Sequence, residues 1–352
     1  MIIVLKKDID EEKCNALREF LEKRDVKTVE VVGVDKKIIG VIGNKHNLDK
    51  DALSAFPGVE RVIPILEPYK LASRKFHPTN TIINVGGVEI GGLDPVRMAG
   101  PCSVESEEQI WEIAENLSQQ GVQILRGGIF KPRSSPYSFQ GIGEIGLPWL
   151  RDAGKHYGMP VISEVMQINQ IDLMYDFVDI FQVGARNMQN FRLLEALGKT
   201  DKPIMLKRGI AATFGEFLMS AEYILSNGNE KVILCERGIR TFVEYTRNTL
   251  DVNVIPMVKN VSHLPIIVDP SHATGRTDLI TPVTLGSLIA GADGFIIEVH
   301  PRPYAALSDG AQQLTFDQFA SFMEDYELIK DSLLNLRKKK FAEITENVSN
   351  SL

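Results

Sequence analysis

The chain begins with short apolar runs set between amphipathic stretches. Ile2–Leu5 is uniformly apolar and predicts a strand. From Ile9 to Lys23, Cys14, Leu17, Phe20 and Leu21 recur at helical spacing and give one apolar face. Val26–Val32 and Lys37–Val41 predict two strands, with Gly33, Asp35 and Lys36 in the tight connection between them. Leu48–Phe56 predicts a second helix and Val59–Pro64 a last strand. The order β-α-β-β-α-β predicts a ferredoxin-like module over residues 1–66, a frequent regulatory or interaction unit. Residues 67–95 then predict a polar linker and a β-hairpin that caps a barrel, its two short strands flanking Gly86-Gly87. No helix follows these glycines, so they do not form a nucleotide-binding loop.

From residue 96 to 352 the rhythm changes. Short β-rich runs alternate with helical stretches at Arg97–Cys102, Val122–Arg126, Pro160–Glu164, Ile180–Gly184, Pro203–Lys207, Val232–Glu236, Pro265–Asp269 and Gly294–Glu298. Eight such units predict an α/β fold of the (β/α)8 type, a TIM barrel. A doubly wound open sheet is the alternative, but no G-x-G-x-x-G follows the first of these strands. A helical stripe from Phe316 to Leu333 predicts a closing helix over Thr315 to about Lys340, with the polar tail beyond it fraying.

Composition narrows the class. Of 352 residues, 44% are hydrophobic and 24% charged, as in ordinary soluble globular proteins. No apolar run approaches the roughly 18 residues of a membrane span, and the N-terminus lacks signal-peptide features; a cytoplasmic protein is expected. Three cysteines, Cys14, Cys102 and Cys235, argue against a disulfide framework. The formal charge of −7 argues against nucleic-acid or anionic-membrane partners. A basic cluster inside such a chain therefore needs a local reason.

Barrel chemistry concentrates at the C-terminal ends of the strands. Those ends carry Arg126, Lys131, Arg133, Arg186, Lys207, Arg208 and Arg237. One such cation is more often a salt-bridge partner, but seven on one rim predict an anionic ligand with more than one charged group. A second set, Cys102, His272, Glu298 and Asp309, lies at or beyond strands one, seven and eight. Thiolate, imidazole and two carboxylates suit a divalent ion such as Zn, Fe or Mn. No local spacing announces this set, and each member alone has an ordinary structural explanation. Cys14 and Cys235 are expected to be structural. His46, His77, His156 and His263 carry no specific signal, while His300 projects toward the same face as Glu298.

The runs Ala99-Gly-Pro-Cys-Ser-Val-Glu, Leu125-Arg-Gly-Gly and Lys131-Pro-Arg-Ser-Ser-Pro-Tyr-Ser-Phe-Gln-Gly resemble the 3-deoxy-D-arabino-heptulosonate 7-phosphate (DAHP) synthases. So do Val183-Gly-Ala-Arg-Asn, Leu206-Lys-Arg-Gly, Leu234-Cys-Glu-Arg-Gly, Val268-Asp-Pro-Ser-His, Glu298-Val-His-Pro and Ala306-Leu-Ser-Asp-Gly. The resemblance implies a metal-dependent transferase of the shikimate pathway that condenses phosphoenolpyruvate with erythrose 4-phosphate. It implies Cys102, His272, Glu298 and Asp309 as ligands of a divalent metal (Mn, Fe, Zn, Co or Cd). Arg126, Lys131, Arg186, Lys207 and Arg237, with the backbone of Gly184 and Ala185, would hold phosphoenolpyruvate. Pro132, Arg133, Ser134, Ser135 and Asp309 would contact erythrose 4-phosphate; Lys131 would act as general acid and Glu164 would orient a water. The related 3-deoxy-D-manno-octulosonate 8-phosphate synthases have an Asn where this chain has Pro132-Arg133, which favours the four-carbon aldose. The front module resembles an amino-acid-sensing lid, which implies a homotetramer inhibited by tyrosine or phenylalanine. An octulosonate or sialic-acid-type condensation is the competing enzyme reading, and a non-catalytic regulatory barrel the competing non-enzyme one.

Overall fold

A computed structural model describes residues 1–6, 9–24, 26–32, 37–42, 48–63, 68–132 and 135–351. Gly33, Asp35, Lys36, His46, Pro64, Arg133 and Ser134 lie outside the described residues. Contacts divide the chain into two units: residues 1–79 with 261–263 and 341–352, and residues 80–260 with 264–340.

The first unit contains β1 (Ile2–Leu5), α1 (Glu11–Glu22), β2 (Lys27–Val32), β3 (Lys37–Ile42), α2 (Lys50–Ser54) and β4 (Val59–Ile63). They form one sheet in the order β2-β3-β1-β4, antiparallel at each junction. This is the ferredoxin-like arrangement expected from the sequence. Helix α1 starts where the Asp10 side chain accepts from Lys13 N. Its buried Cys14, Leu17 and Leu21 pack with Ile3, Leu5, Ile39 and Val41 on one face of the sheet. The other face is covered too. Phe76 packs there with Ile2, Val4 and Ile38, joined by Leu71. The segment expected as a polar linker is thus packed structure from residue 68 onward. Gly40 shows the reason: a Cβ on it would lie 1.4 Å from the Phe76 ring, so only glycine admits that ring to the sheet.

The second unit opens with the hairpin β5 (Ile83–Val85) and β6 (Val88–Ile90). Eight parallel strands follow and close into a barrel: β7 (Val96–Gly100), β8 (Ile124–Arg126), β9 (Val161–Glu164), β10 (Ile180–Val183), β11 (Ile204–Lys207), β12 (Val232–Glu236), β13 (Ile266–Val268) and β14 (Gly294–Glu298). The helices between and after them run α3 (Glu107–Gln119), α4 (Gly146–His156), α5 (Asn169–Met174), α6 (Phe191–Leu197), α7 (Phe214–Ser226), α8 (Val254–Val261), α9 (Pro270–Thr274), α10 (Ile280–Ala290) and α11 (Phe316–Ser351). Past Lys340, where fraying was expected, the backbone stays helical to Ser351; no Gly or Pro interrupts that stretch.

The lower interior of the barrel is apolar. Met98, Ile124, Ile162, Ile180, Met205, Ile233, Cys235, Ile267 and Ile296 form one cluster with Ile83, Val85 and Ile90 of the hairpin. The hairpin therefore seals the end where the strands begin. Arg337 of α11, 4% exposed, clamps this floor by donating to the carbonyls of Gly92, Leu93 and Ala292 and to the Asp293 carboxylate. With one end closed by apolar packing, a ligand can enter only from the other, where buried polar residues gather.

Candidate active site

Strand β7 stops at Gly100, two residues short of the expected Cys102, because Pro101 has no N–H to continue the ladder. Cys102 lies in the loop just beyond, fully buried, its backbone N donating to Gln313 Oε1 at 3.0 Å. Glu298 ends β14 opposite Gly100 in register and is also fully buried. The chain then returns to the same place. Leu314 N donates to Glu298 O at 2.9 Å, which holds the intervening loop over the strand end. That loop carries Asp309 in a left-handed conformation, φ 47, the one non-glycine positive φ among the described residues. Asp309 starts a 3₁₀ turn over Gly310–Gln312.

Cys102, Glu298 and Asp309 consequently converge, their ligand atoms all within 4.8 Å of one another. His272 stands at the edge of this group, Nε2 3.5 Å from Glu298 Oε1. Its position follows from α9: the Asp269 side chain caps the helix at His272 N, and Pro270 occupies the first turn. His272 Nδ1 lies 2.8 Å from Asp269 Oδ2. The chemistry of the donors fits a divalent cation. Burial keeps the imidazole neutral, as a ligand requires. Burial, then the Glu298 charge, pushes the Cys102 thiol up to about 11, against Lys131 and Arg126, so a thiolate beside two carboxylates needs a further positive charge. Burial also works against the charge on Glu298, yet its neighbours His272, Arg126 and Lys131 hold its carboxyl below the usual range.

Above this cluster lies a cleft of about 470 Å³, a size suited to small ligands. Lys131, Pro132, Ser135, Glu164, Ala185, Arg186, Arg237, His272 and Asp309 line it, all of them expected from sequence. Arg126, Gly184 and Lys207 do not reach the wall. Arg126 is buried, donating to Glu298 Oε1 at 2.7 Å, and Lys207 is paired with the Asp269 carboxylate. Lys131 Nζ lies 3.0 Å from Cys102 Sγ and 2.9 Å from Cys102 O. Burial disfavours its charge, but Cys102 and Glu298 raise its pKa, so it is an ammonium at neutral pH. Gly184 makes room for Glu164: a Cβ there would lie 2.0 Å from Glu164 Oε1.

Two expectations change. Arg208, expected on the rim, is paired with Glu236 at 3.0 Å and Asp251 at 2.9 Å. Adjacent residues at a strand end point to opposite sides, so Lys207 faces inward and Arg208 cannot. His300 turns to Glu105, Nε2 to Oε2 3.6 Å, and touches none of the four candidate ligands in its described contacts. Conversely, Ser138, Ile210, Arg240, Arg247 and Asn248 also line the cleft. Arg240 and Arg247 lie farther along the loop that Arg237 opens, beyond the strand end, where position along the strand carries no signal for them. Among the described residues Arg237 donates to carbonyls, of Gly238 at 3.3 Å and His272 at 3.4 Å. Burial lowers its pKa, Asp269 opposes this and the Arg247 charge adds to it. An anion in the cleft would relieve that arrangement.

Comparison with known proteins identifies the family. Residues 75–333 match the model of the DAHP synthetase I family, and residues 1–67 match the DAHP synthase ferredoxin-like domain. The phospho-2-dehydro-3-deoxyheptonate aldolase of Thermotoga maritima is 47% identical over 333 residues, 95% of this chain and 98% of that protein. Its crystal structure superimposes with a TM-score of 0.76. A truncated form of the Thermotoga maritima synthase, 48% identical, covers 75% of this chain and 97% of its own, with a TM-score of 0.71. The 2-dehydro-3-deoxyphosphooctonate aldolase of Geobacter sp. strain M21 is more distant, 31% identical over 72% of this chain and 98% of its own. Barrel, front module and site motifs together make this chain a member of the DAHP synthetase I family.

Proposed function

We propose that the buried Cys102–Glu298–Asp309 cluster and the basic cleft above it serve one reaction, the condensation of phosphoenolpyruvate with erythrose 4-phosphate and water to give DAHP and phosphate. The enzyme is a DAHP synthase, at the start of the shikimate pathway. The single observation that carries the site reading is the junction of a thiol and two carboxylates beneath a cleft lined by Lys131, Arg186 and Arg237. Cys102, His272, Glu298 and Asp309 would hold a divalent cation, which when bound supplies Lewis-acid polarisation to an aldehyde oxygen.

The protein's own groups have separable tasks. Arg186 and Arg237 bind the phosphate and carboxylate of phosphoenolpyruvate and screen its charge from the second anionic substrate. Arg126 and Lys207 act from below, through their ion pairs with Glu298 and Asp269. Pro132 and Ser135 lie on the wall where erythrose 4-phosphate would bind, next to Arg133 and Ser134 in sequence. C3 of phosphoenolpyruvate attacks the aldehyde carbon, and the Lys131 ammonium gives a proton to the alkoxide oxygen that forms, making it the new hydroxyl. Glu164 orients the water that adds at C2, after which the C2–O bond to phosphate breaks.

The test is release of phosphate from phosphoenolpyruvate with erythrose 4-phosphate or arabinose 5-phosphate, with and without chelator. We expect turnover with the four-carbon aldose, lost in chelator and restored by a divalent ion. Cys102→Ala should fold, bind metal weakly and turn over little. Full activity of that variant in chelator would overturn the metal reading; preference for arabinose 5-phosphate would overturn the substrate. The ferredoxin-like domain match supports a further part of the proposal, that the front module binds tyrosine or phenylalanine and inhibits the enzyme. A cytoplasmic homotetramer belongs to the same proposal, on the family resemblance alone.

A further inference from the structure

Behind the proposed cation ligands stands a residue that the reaction scheme does not use. Gln312 is 3% exposed, and both ends of its carboxamide are engaged. Nε2 donates to Glu298 Oε2 at 2.6 Å, and Oε1 accepts from Arg247 Nη1 at 2.7 Å. The two partners are of opposite sign, so the amide has one workable orientation. Turned over, it would set an oxygen against the carboxylate and an NH₂ against the guanidinium, both in a buried place.

The backbone explains how Gln312 arrives there. Asp309, left-handed at φ 47, leads into the 3₁₀ turn that ends at Gln312, and Gln312 N donates to Asp309 O at 3.2 Å. One tight turn thus carries both a candidate ligand and its neighbour. The next residue, Gln313, goes to the other candidate ligand in the same way: Oε1 accepts from Cys102 N, and Nε2 donates to Ser308 O at 2.9 Å.

Arg247 closes the circuit. It lines the cleft, and its Nη1 also lies 3.7 Å from Asp309 Oδ1. Its backbone is stitched to α9, with Arg247 N donating to Thr274 O at 2.9 Å and Asn248 N to Ala273 O at 2.8 Å. Asn248 Nδ2 donates to His272 O at 3.0 Å. A continuous set of contacts therefore runs from Glu298 through Gln312 and Arg247 to the helix that carries His272, and back to Glu298 across 3.5 Å.

We infer that Gln312 is a positioning residue: it fixes the orientation of the Glu298 carboxylate and ties the Arg247 loop of the cleft to the cation site. Gln312 holds Oε2 at 2.6 Å while Arg126 holds Oε1 at 2.7 Å, and Oε1 is the oxygen turned to His272. Carboxylates that bind metals are oriented by such outer partners, and loss of one typically weakens metal affinity by about ten- to a hundredfold. The inference rests on the reading of Cys102, His272, Glu298 and Asp309 as a cation site.

The experiment titrates cobalt(II) into the metal-free, full-length protein and follows thiolate-to-cobalt absorption and the dissociation constant. Parent, Gln312→Leu, Arg247→Leu and the double variant are compared, each first checked for folding by circular dichroism. Gln312→Met, unbranched and of similar length, replaces the leucine variant if that one fails to fold. We expect the Gln312 variant to bind cobalt about ten- to a hundredfold more weakly. Arg247→Leu should lose less, because Gln312 keeps its bond to Glu298, and the double variant should be no weaker than Gln312→Leu alone. A folded Gln312 variant that binds cobalt as tightly as the parent overturns the inference while leaving the cation site standing. A parent that binds no cobalt overturns the cation site and this inference with it. Strictly additive losses in the double variant overturn the coupling through Arg247.

Discussion

Replacing Gly184 by alanine should disable the enzyme while leaving the barrel folded. Gly184 has φ −67, so a side chain there meets no backbone strain. The obstacle is the Glu164 carboxylate: a Cβ would lie 2.0 Å from its Oε1 and 2.8 Å from its Cδ. To reach an ordinary contact of 3.4 Å, Oε1 must retreat by about 1.4 Å. The end of a glutamate side chain can do this by rotation, at about 0.5–1.5 kcal/mol, so the thermal midpoint should fall only a few degrees, as it does for about 1 kcal/mol in a large domain. The function should suffer more. A displacement of about 1 Å in a positioned group costs about a hundredfold, or about 2.7 kcal/mol in the barrier. Gly100→Ala supplies the contrast, because its Cβ would lie 2.0 Å from the Arg126 carbonyl oxygen, which belongs to a barrel strand. No side-chain rotation relieves that clash, and a loss above about 4 kcal/mol is expected. The assay is phosphoenolpyruvate consumption at saturating substrates, beside thermal unfolding of both variants. Gly184→Ala should keep its KM for phosphoenolpyruvate and lose kcat. A kcat close to the parent's would refute the positional role of Glu164, and a Gly100→Ala protein as stable as the parent would refute the steric reasoning itself.

Three further outcomes are expected. Arg186→Ala removes a charge-assisted contact and should raise the KM for phosphoenolpyruvate by about ten- to a hundredfold, roughly 1.5–3 kcal/mol; an unchanged KM would show that Arg186 does not bind this substrate. Asp293 is fully buried with Lys259 and Arg337, and although burial opposes its charge, they hold its carboxyl below the usual range. Its stabilising effect should therefore be complete above the unfolded value of about 3.9 and fade as pH falls below it. Asp293→Asn should lower the thermal midpoint at neutral pH, with the gap to the parent narrowing in acid; a gap independent of pH would contradict this. Removing residues 1–79, the whole packed front segment, should leave a metal-dependent enzyme that tyrosine and phenylalanine no longer inhibit. Inhibition retained by that truncated protein would place the sensor elsewhere.

Much of this protein is decided locally. Cys14, Leu17 and Leu21 at helical spacing, and eight apolar runs separated by helical stretches, specify a split β-α-β module and a barrel, because periodicity selects the face each element must bury. The strand-end rule then places Lys131, Arg186 and Arg237 on one rim, since parallel strands in a closed barrel all end on the same side. Other features depend on partners distant in the chain. Nothing local marks residues 68–79 as structure, for Phe76 is buried only because Gly40, on another strand, leaves space for its ring. Arg126, Lys207 and Arg208 look alike in sequence, yet the first two meet buried carboxylates inside the barrel and the third an outward ion pair with Glu236 and Asp251. Gln312 reads as an ordinary polar loop residue until the bond from Leu314 N to Glu298 O folds its turn back over the strand. The sequence sets which chemistry each element carries; which charge faces which, 28 residues away for Arg208 and Glu236 and 172 for Arg126 and Glu298, is settled by closure of the barrel, where burial makes most polar groups find a partner.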